Sequence, residues 1–85
     1  MPIEAVVEDG EILDLRGLKC PLPALFARRA LLRSHPGAVV VVRADDPMAR
    51  IDIPHMCRQE GFEVVSIREA GGAIEALLRR LSTLR

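Results

Sequence analysis

The sequence predicts an α/β (α+β) two-layer sandwich, with two helices packed on one face of a mixed sheet. Three observations carry this. Two segments, 21–34 and about 50–60, have helical spacing or helix-forming composition, and each is bounded by proline or glycine. Around them lie the β-branched run 38–43 and the strand-like run 62–68. Finally, 85 residues make one domain, whose core has to come from one sheet and a couple of helices. Phe26 and Phe62 are the only aromatics, so packing falls to Val, Ile, Leu and Ala.

Taken in order, residues 1–10 carry Pro2, Glu4, Glu8 and Asp9 around Val6-Val7 and close on an Asp9-Gly10 turn signal. They are expected to form a flexible N-terminal arm, leaving 11–85 as the domain. Residues 11–15 form a short β segment before Arg16-Gly17 turns the chain. Pro21 and Pro23 then suit a helix start, because the first helical N–H groups have no intrahelical partner and proline's fixed φ is already helical. Along that helix Ala24, Ala27 and Leu31 share one face, Leu25 and Leu32 flank it, and Arg29 and Arg33 lie opposite. His35-Pro36-Gly37 ends it, with His35 as the expected cap.

The run 38–43 is continuous and β-branched, which predicts a central strand buried on both faces. Asp45-Asp46-Pro47 is a turn with its cap. A second helix closes at Gly61, and placing Pro54 in its first turn puts the start near Ile51 or Asp52, where Asp52 complements the helix N-terminus. A strand over 62–68 follows, then a turn at Ala70-Gly71-Gly72. Residues 73–81 are ambiguous. Ala, Leu, Glu and Arg favour a helix, while the Gly-Gly turn and the alternation Ile74, Ala76, Leu78 favour a terminal edge strand.

Lysine plus arginine equals aspartate plus glutamate at 12 each, a formal net charge of zero. That balance, with so few aromatics, argues against direct nucleic-acid binding. No apolar run approaches the roughly 20 residues needed to span a bilayer. Met1-Pro-Ile-Glu also lacks the basic start of a signal peptide, so a cytoplasmic location with no membrane partner is expected, with both cysteines reduced. Asp45 and Asp46 without a nearby histidine make a poor metal site, so none is assigned. Cys57, beside Met56 in the second helix, is expected to be packed. Neither His35 nor His55 is given a catalytic task.

The chemistry centres on Cys20, at or beside the N-cap of the first helix. Unpaired amides and the positive end of the helix dipole there are expected to favour its thiolate. Arg16 and Lys19 are candidates to do the same or to guide a partner, and Arg28, Arg29 and Arg33 are weaker candidates for a docking patch. Asp14 is expected to hydrogen-bond the backbone of the Gly17-containing turn that carries Cys20.

The run Asp14-Leu-Arg-Gly-Leu-Lys-Cys20-Pro-Leu-Pro23, with Arg28-Arg29, Pro36-Gly37, Ala44-Asp-Asp-Pro47, Asp52-Ile-Pro54 and Cys57, resembles the TusA/SirA family of small sulfur-carrier proteins. The resemblance implies a β-α-β-α-β-β order with a four-stranded sheet, like the C-terminal domain of a bacterial translation initiation factor. That tips 73–81 towards a strand. It also implies that Cys20 accepts sulfane sulfur from a cysteine desulfurase or rhodanese and passes it as a persulfide to a cysteine of an acceptor protein. Pro21, Pro23, Asp14, Arg16, Gly17 and Lys19 would support the site, and no cofactor is needed beyond the covalent sulfur. Pathways served in the family include thiolation of the tRNA wobble uridine, molybdenum cofactor work and sulfur oxidation. Leu22 stands where the family often has an acidic or polar residue, which bears on partner identity. A monomer is the expected state. The alternative function is a regulatory or protein-docking module of the same fold that transfers no sulfur.

Overall fold

The computed structural model describes residues 9–81. Its elements run β1 (Asp9–Asp14), α1 (Leu22–Leu32), β2 (Val39–Ala44), α2 (Ala49–Glu60), β3 (Glu63–Ala70) and β4 (Ala73–Arg79). The four strands form one mixed sheet in the order β1-β2-β4-β3, with β1 and β2 parallel and the other two pairings antiparallel. Most of the expected arm, residues 1–8, lies outside the described residues. Asp9 and Gly10 belong to β1, which pairs with β2 from Asp9 onward with an irregular register between Asp9 and Glu11.

The core explains why both helices settle on one face. Ala24, Ala27 and Leu31 of α1 and Ala49, Ile53, Met56 and Cys57 of α2 are buried with Val40, Val42 and Ala44 of β2 and Ile74, Ala76 and Leu78 of β4. Small alanines on both layers let helix and sheet approach closely, and the longer Leu31, Ile53 and Leu78 fill the space between them. The predicted apolar face of α1 is the one buried, while Leu25 and Leu32 remain exposed beside it.

Four expectations are corrected. β2 is interior to the sheet, but only Val40, Val42 and Ala44 are fully buried; Val39, Val41 and Arg43 alternate onto the face without helices. β4 is a strand, as the resemblance implied, yet it is an interior strand between β2 and β3 and not an edge. α2 starts at Ala49, ahead of the predicted Ile51 or Asp52, leaving Pro54 inside the helix. Bonds from the Ala49 amide to the Asp46 carbonyl (2.9 Å) and from the Asp52 amide to the Met48 carbonyl (2.8 Å) build its first turn before the proline is reached. Lastly, the end of α1 is closed without the His35 side chain: the Arg80 guanidinium donates to the carbonyls of Leu32 (3.0 Å) and Ser34 (2.6 Å), and the Ser34 hydroxyl to that of Ala30 (2.7 Å).

On the face without helices, the register sets Asp14, Arg43, Glu75 and Arg68 side by side across the four strands. Glu75 accepts from Arg43 at 2.9 Å and from Arg68 at 3.2 Å, and Arg79 pairs with Glu63. Opposite charges in adjacent strands support the pairing register.

Candidate functional site

The chain leaves β1 at Asp14 and needs seven residues to reach α1, so the cysteine is delivered by a short connection whose conformation decides where the sulfur points. Gly17 takes φ +92 in its turn, a conformation that side-chain-bearing residues rarely adopt. Its amide donates to Asp45 Oδ1 at 2.9 Å. Three residues on, the Cys20 amide donates to Asp46 Oδ2 at 2.6 Å, while Asp46 Oδ1 accepts from the Met48 amide at 2.9 Å. The turn between β2 and α2 therefore clamps the cysteine connection at two points. Asp46 joins it to the beginning of α2.

Pro21 is the N-cap residue of α1 and Pro23 its second helical residue; the Cys20–Pro21 peptide is cis. Pro23 is fully buried, so the helix start is anchored in the core while Cys20, Pro21 and Leu22 stay exposed. The two prolines remove two amide donors from this end. The Leu22 amide goes to the Lys19 carbonyl at 2.8 Å. The supply of unpaired N–H groups at this helix start is thus poor, and the sulfur turns elsewhere.

It turns to α2. Cys20 Sγ donates to Asp52 Oδ2 at 2.8 Å, bringing together side chains 32 residues apart in sequence. The carboxylate accepts the thiol proton and, with Asp46 close by, opposes a negative sulfur, so the Cys20 thiol is pushed above its ordinary value. The expected thiolate is corrected on this point: two prolines thin out the helix donors, and an acidic neighbour outweighs what is left of the dipole.

The other predicted residues fall into place around this geometry. Asp14 accepts the Arg16 amide of the Arg16-Gly17 turn at 3.3 Å, and it also takes the Arg16 side chain in a two-pronged pair, at 2.7 Å to both Nε and Nη2. This holds the Asp14 carboxyl at about 2. Arg16 is engaged there, and the charges acting on the Cys20 sulfur come from Asp52 and Asp46. Lys19 acts on Asp46, whose carboxyl is lowered chiefly by the Met48 and Cys20 amides. Arg28 pairs with Glu60 across the helices at 2.9 Å. Arg29 and Arg33 line a groove of about 270 Å³ with Phe26, Leu13 and Glu11.

Asp45, Asp46 and Asp52 are the site residues that reasoning on the local sequence missed. Their local stretch predicts a turn with its cap at Asp45-Asp46 and a partner for the helix end at Asp52; the turn is there and Asp46 accepts the Met48 amide, while the N-cap of α2 is Met48, with no side-chain cap bond. What local spacing did not carry is that their side chains reach back to Gly17 and Cys20. Cys57 is buried in α2, where loss of solvent pushes its thiol up to about 11. Among the described residues no three His, Cys, Asp or Glu side chains gather as a metal site, and no helix is long and apolar enough to cross a membrane.

Fold and site together define a class: a small α/β protein that holds one exposed thiol at a proline-fixed helix start, outside a cavity of about 290 Å³ lined by Asp46, Arg50 and Glu69. The family follows from comparison. The family model described as "Sulfurtransferase TusA" matches residues 11–80, and the chain belongs to this TusA/SirA family. It is 38% identical over 71 residues to a protein of Neisseria meningitidis serogroup A named "Putative sulfur carrier protein", covering 84% of this chain and 96% of that one. It is 41% identical over 59 residues to a Thermotoga maritima protein of the same name, covering 69% and 75%. A crystal structure of the SirA-like protein from Desulfitobacterium hafniense superposes with a TM-score of 0.73 at 26% identity, over 84% of this chain and 97% of that one. Membership of this family supports a sulfur-carrier role.

Proposed function

We propose that this chain is a sulfur relay that takes sulfane sulfur onto Cys20 as a persulfide and hands it to a cysteine of an acceptor protein. The observation that carries the reading is the contrast between its two thiols: Cys20 is exposed at a fixed helix start, while Cys57 is buried with its thiol raised to about 11. A carrier has to meet two partners in turn, which an open thiol permits and an enclosed one does not. A cysteine desulfurase or a rhodanese is the donor class that this chemistry suits, and tRNA thiolation is one destination for the sulfur. The work belongs in the cytoplasm, with a single chain acting as a monomer.

Docking is assigned to the exposed side of α1. Leu22, Leu25 and Phe26 lie open there with Arg29 and Arg33 close in sequence, a combination of apolar contact and positive charge suited to a partner with an acidic rim. The test is to incubate the chain with a desulfurase and cysteine, or with rhodanese and thiosulfate, and to measure intact mass. One added sulfur is expected, lost in Cys20→Ser and kept in Cys57→Ser. The opposite pattern would sink the proposal.

A further inference from the structure

We propose that Asp52 is the proton acceptor and donor for Cys20, taking the thiol proton as the sulfur attacks and delivering a proton to the sulfur when it leaves. This rests on the carrier reading and adds a second catalytic residue to it. The geometry is direct: Asp52 Oδ2 lies 2.8 Å from Cys20 Sγ, within reach of the proton that has to move.

The site needs such a residue. A cysteine with a lowered pKa ionises on its own and requires no base, but here the thiol is raised and stays protonated near neutral pH. The groups that face it are carboxylates, Asp52 from α2 and Asp46 from the turn before α2. Lys19, next in the chain, acts on Asp46, and Arg16 is held by Asp14. Neither histidine is bonded to the sulfur. Asp46 is already occupied, accepting from the Cys20 and Met48 amides, so its oxygens are committed to holding the loop. Asp52 is the carboxylate placed to move the proton.

The step balances without any redox partner. In loading, Cys20 Sγ attacks the outer sulfur of a donor persulfide. The new S–S bond forms at Cys20, the donor's S–S bond breaks, and its inner sulfur leaves as a thiolate. The Cys20 proton passes to Asp52 and from there to the departing thiolate. The net change is Cys20–SH plus donor–S–SH giving Cys20–S–SH plus donor–SH. In unloading, an acceptor thiol attacks the outer sulfur on Cys20 and gives its proton to Asp52, which delivers it to the Cys20 sulfur as the S–S bond at Cys20 breaks, so that Cys20–S–SH plus acceptor–SH gives Cys20–SH plus acceptor–S–SH. A thiol with a raised pKa is a strong nucleophile once deprotonated and a poor leaving group unless protonated. One carboxylate at 2.8 Å serves both directions.

The test loads the full chain with glutathione persulfide and follows sulfur on Cys20 by mass, comparing it with Asp52→Asn and Asp52→Glu at matched pH so that ionisation of the donor cancels. In parallel, the pH profile of iodoacetamide alkylation at Cys20 gives the thiol midpoint. For Asp52→Asn two opposite changes are expected. The alkylation midpoint moves down, because a negative charge is gone, yet loading at pH 7 slows by about a hundredfold, because the proton acceptor is gone. The deficit closes at pH values above the midpoint, where Cys20 ionises unaided. Asp52→Glu, with its carboxylate one methylene further out, keeps at least about a tenth of the rate. The proposal is overturned if Asp52→Asn loads as fast as the unaltered chain at pH 7, if its deficit is the same at every pH, or if a folded Asp52→Glu is as slow as the Asn variant. Absence of loading at Cys20 in the unaltered chain would instead overturn the carrier reading, and the proton role would fall with it.

Discussion

Cys20 illustrates how a residue's chemistry is decided by neighbours its own stretch does not contain. The sequence around it makes the exposed thiol legible, since Pro21 and Pro23 mark a helix start and a cysteine before them has nowhere to be buried. The direction of its pKa was not legible. That depends on Asp46 and Asp52, which reach it from 26 and 32 residues away, whereas the local argument counted only helix donors that the two prolines had removed. Asp46 gives a test at this scale. Asp46→Ala leaves the Cys20 and Met48 amides without their acceptor, and the urea midpoint is expected to fall. Hydrogen exchange at the Cys20 amide should quicken with it. Cys57 gives a second. Its folded thiol lies above its unfolded value of 9.0, at about 11. Its contribution is therefore fully present below pH 9 and is lost as pH rises towards 11, because the unfolded chain gives up that proton first. Melting temperature should fall over this alkaline window, and Cys57→Ala should fall less.

At the scale of elements, the helices were more legible than the strands. Helical spacing identified the buried face of α1, and Gly61 was read as the stop of α2. Gly61 adopts φ +83, and the Phe62 amide behind it donates to the Cys57 carbonyl at 2.8 Å, closing the helix end. Nothing crowds the position, so Gly61→Ala is expected to cost about 1–2 kcal/mol from the left-handed backbone alone, measurable by chemical denaturation. β4 shows where propensity fails. Its Ala, Leu, Glu and Arg favour a helix, but between β2 and β3 the segment pairs on both sides and buries Ile74, Ala76 and Leu78. Two ladders and a core face outweigh differences of a few tenths of a kcal/mol per residue. Truncating Leu78→Ala at this fully buried position should therefore cost about 2–5 kcal/mol, read from the urea midpoint. The start of α2 was misjudged for a related reason: the rule for proline describes an average helix, and the bonds from Ala49 and Asp52 build a turn ahead of Pro54 regardless.

For the whole molecule, the order of elements could be read from Pro, Gly and β-branched punctuation. The strand order could not, because it is set by which faces bury together after the chain has folded back. Charge followed the same division. A net charge of zero was visible in composition, but the partners were not, and they determine the acid limit of the fold. Asp14, Asp46 and Glu75 all have carboxyls lowered in the folded state, chiefly by hydrogen bonds to Arg16, to the Met48 and Cys20 amides, and to Arg43. Their contribution is complete above the unfolded values of 3.8 and 4.5 and disappears as pH falls through the lowered folded values, about 2 for Asp14. Thermal melts should be level from pH 7 to about 5 and then decline progressively towards pH 2. Asp14 is exposed while Asp46 and Glu75 are half-buried, so salt should soften the effect, most of all at Asp14.

The bond between Cys20 and Asp52 has one more consequence. It exists only when the two halves of the chain are joined, so an isolated peptide of residues 9–33 would carry the cysteine with an ordinary acidity. Unfolding should consequently make this already exposed sulfur easier to alkylate, the reverse of the usual rule that reagents find thiols by uncovering them. Where Asp52 is retained, the alkylation rate at Cys20 is therefore expected to report how much of the population has its two halves together.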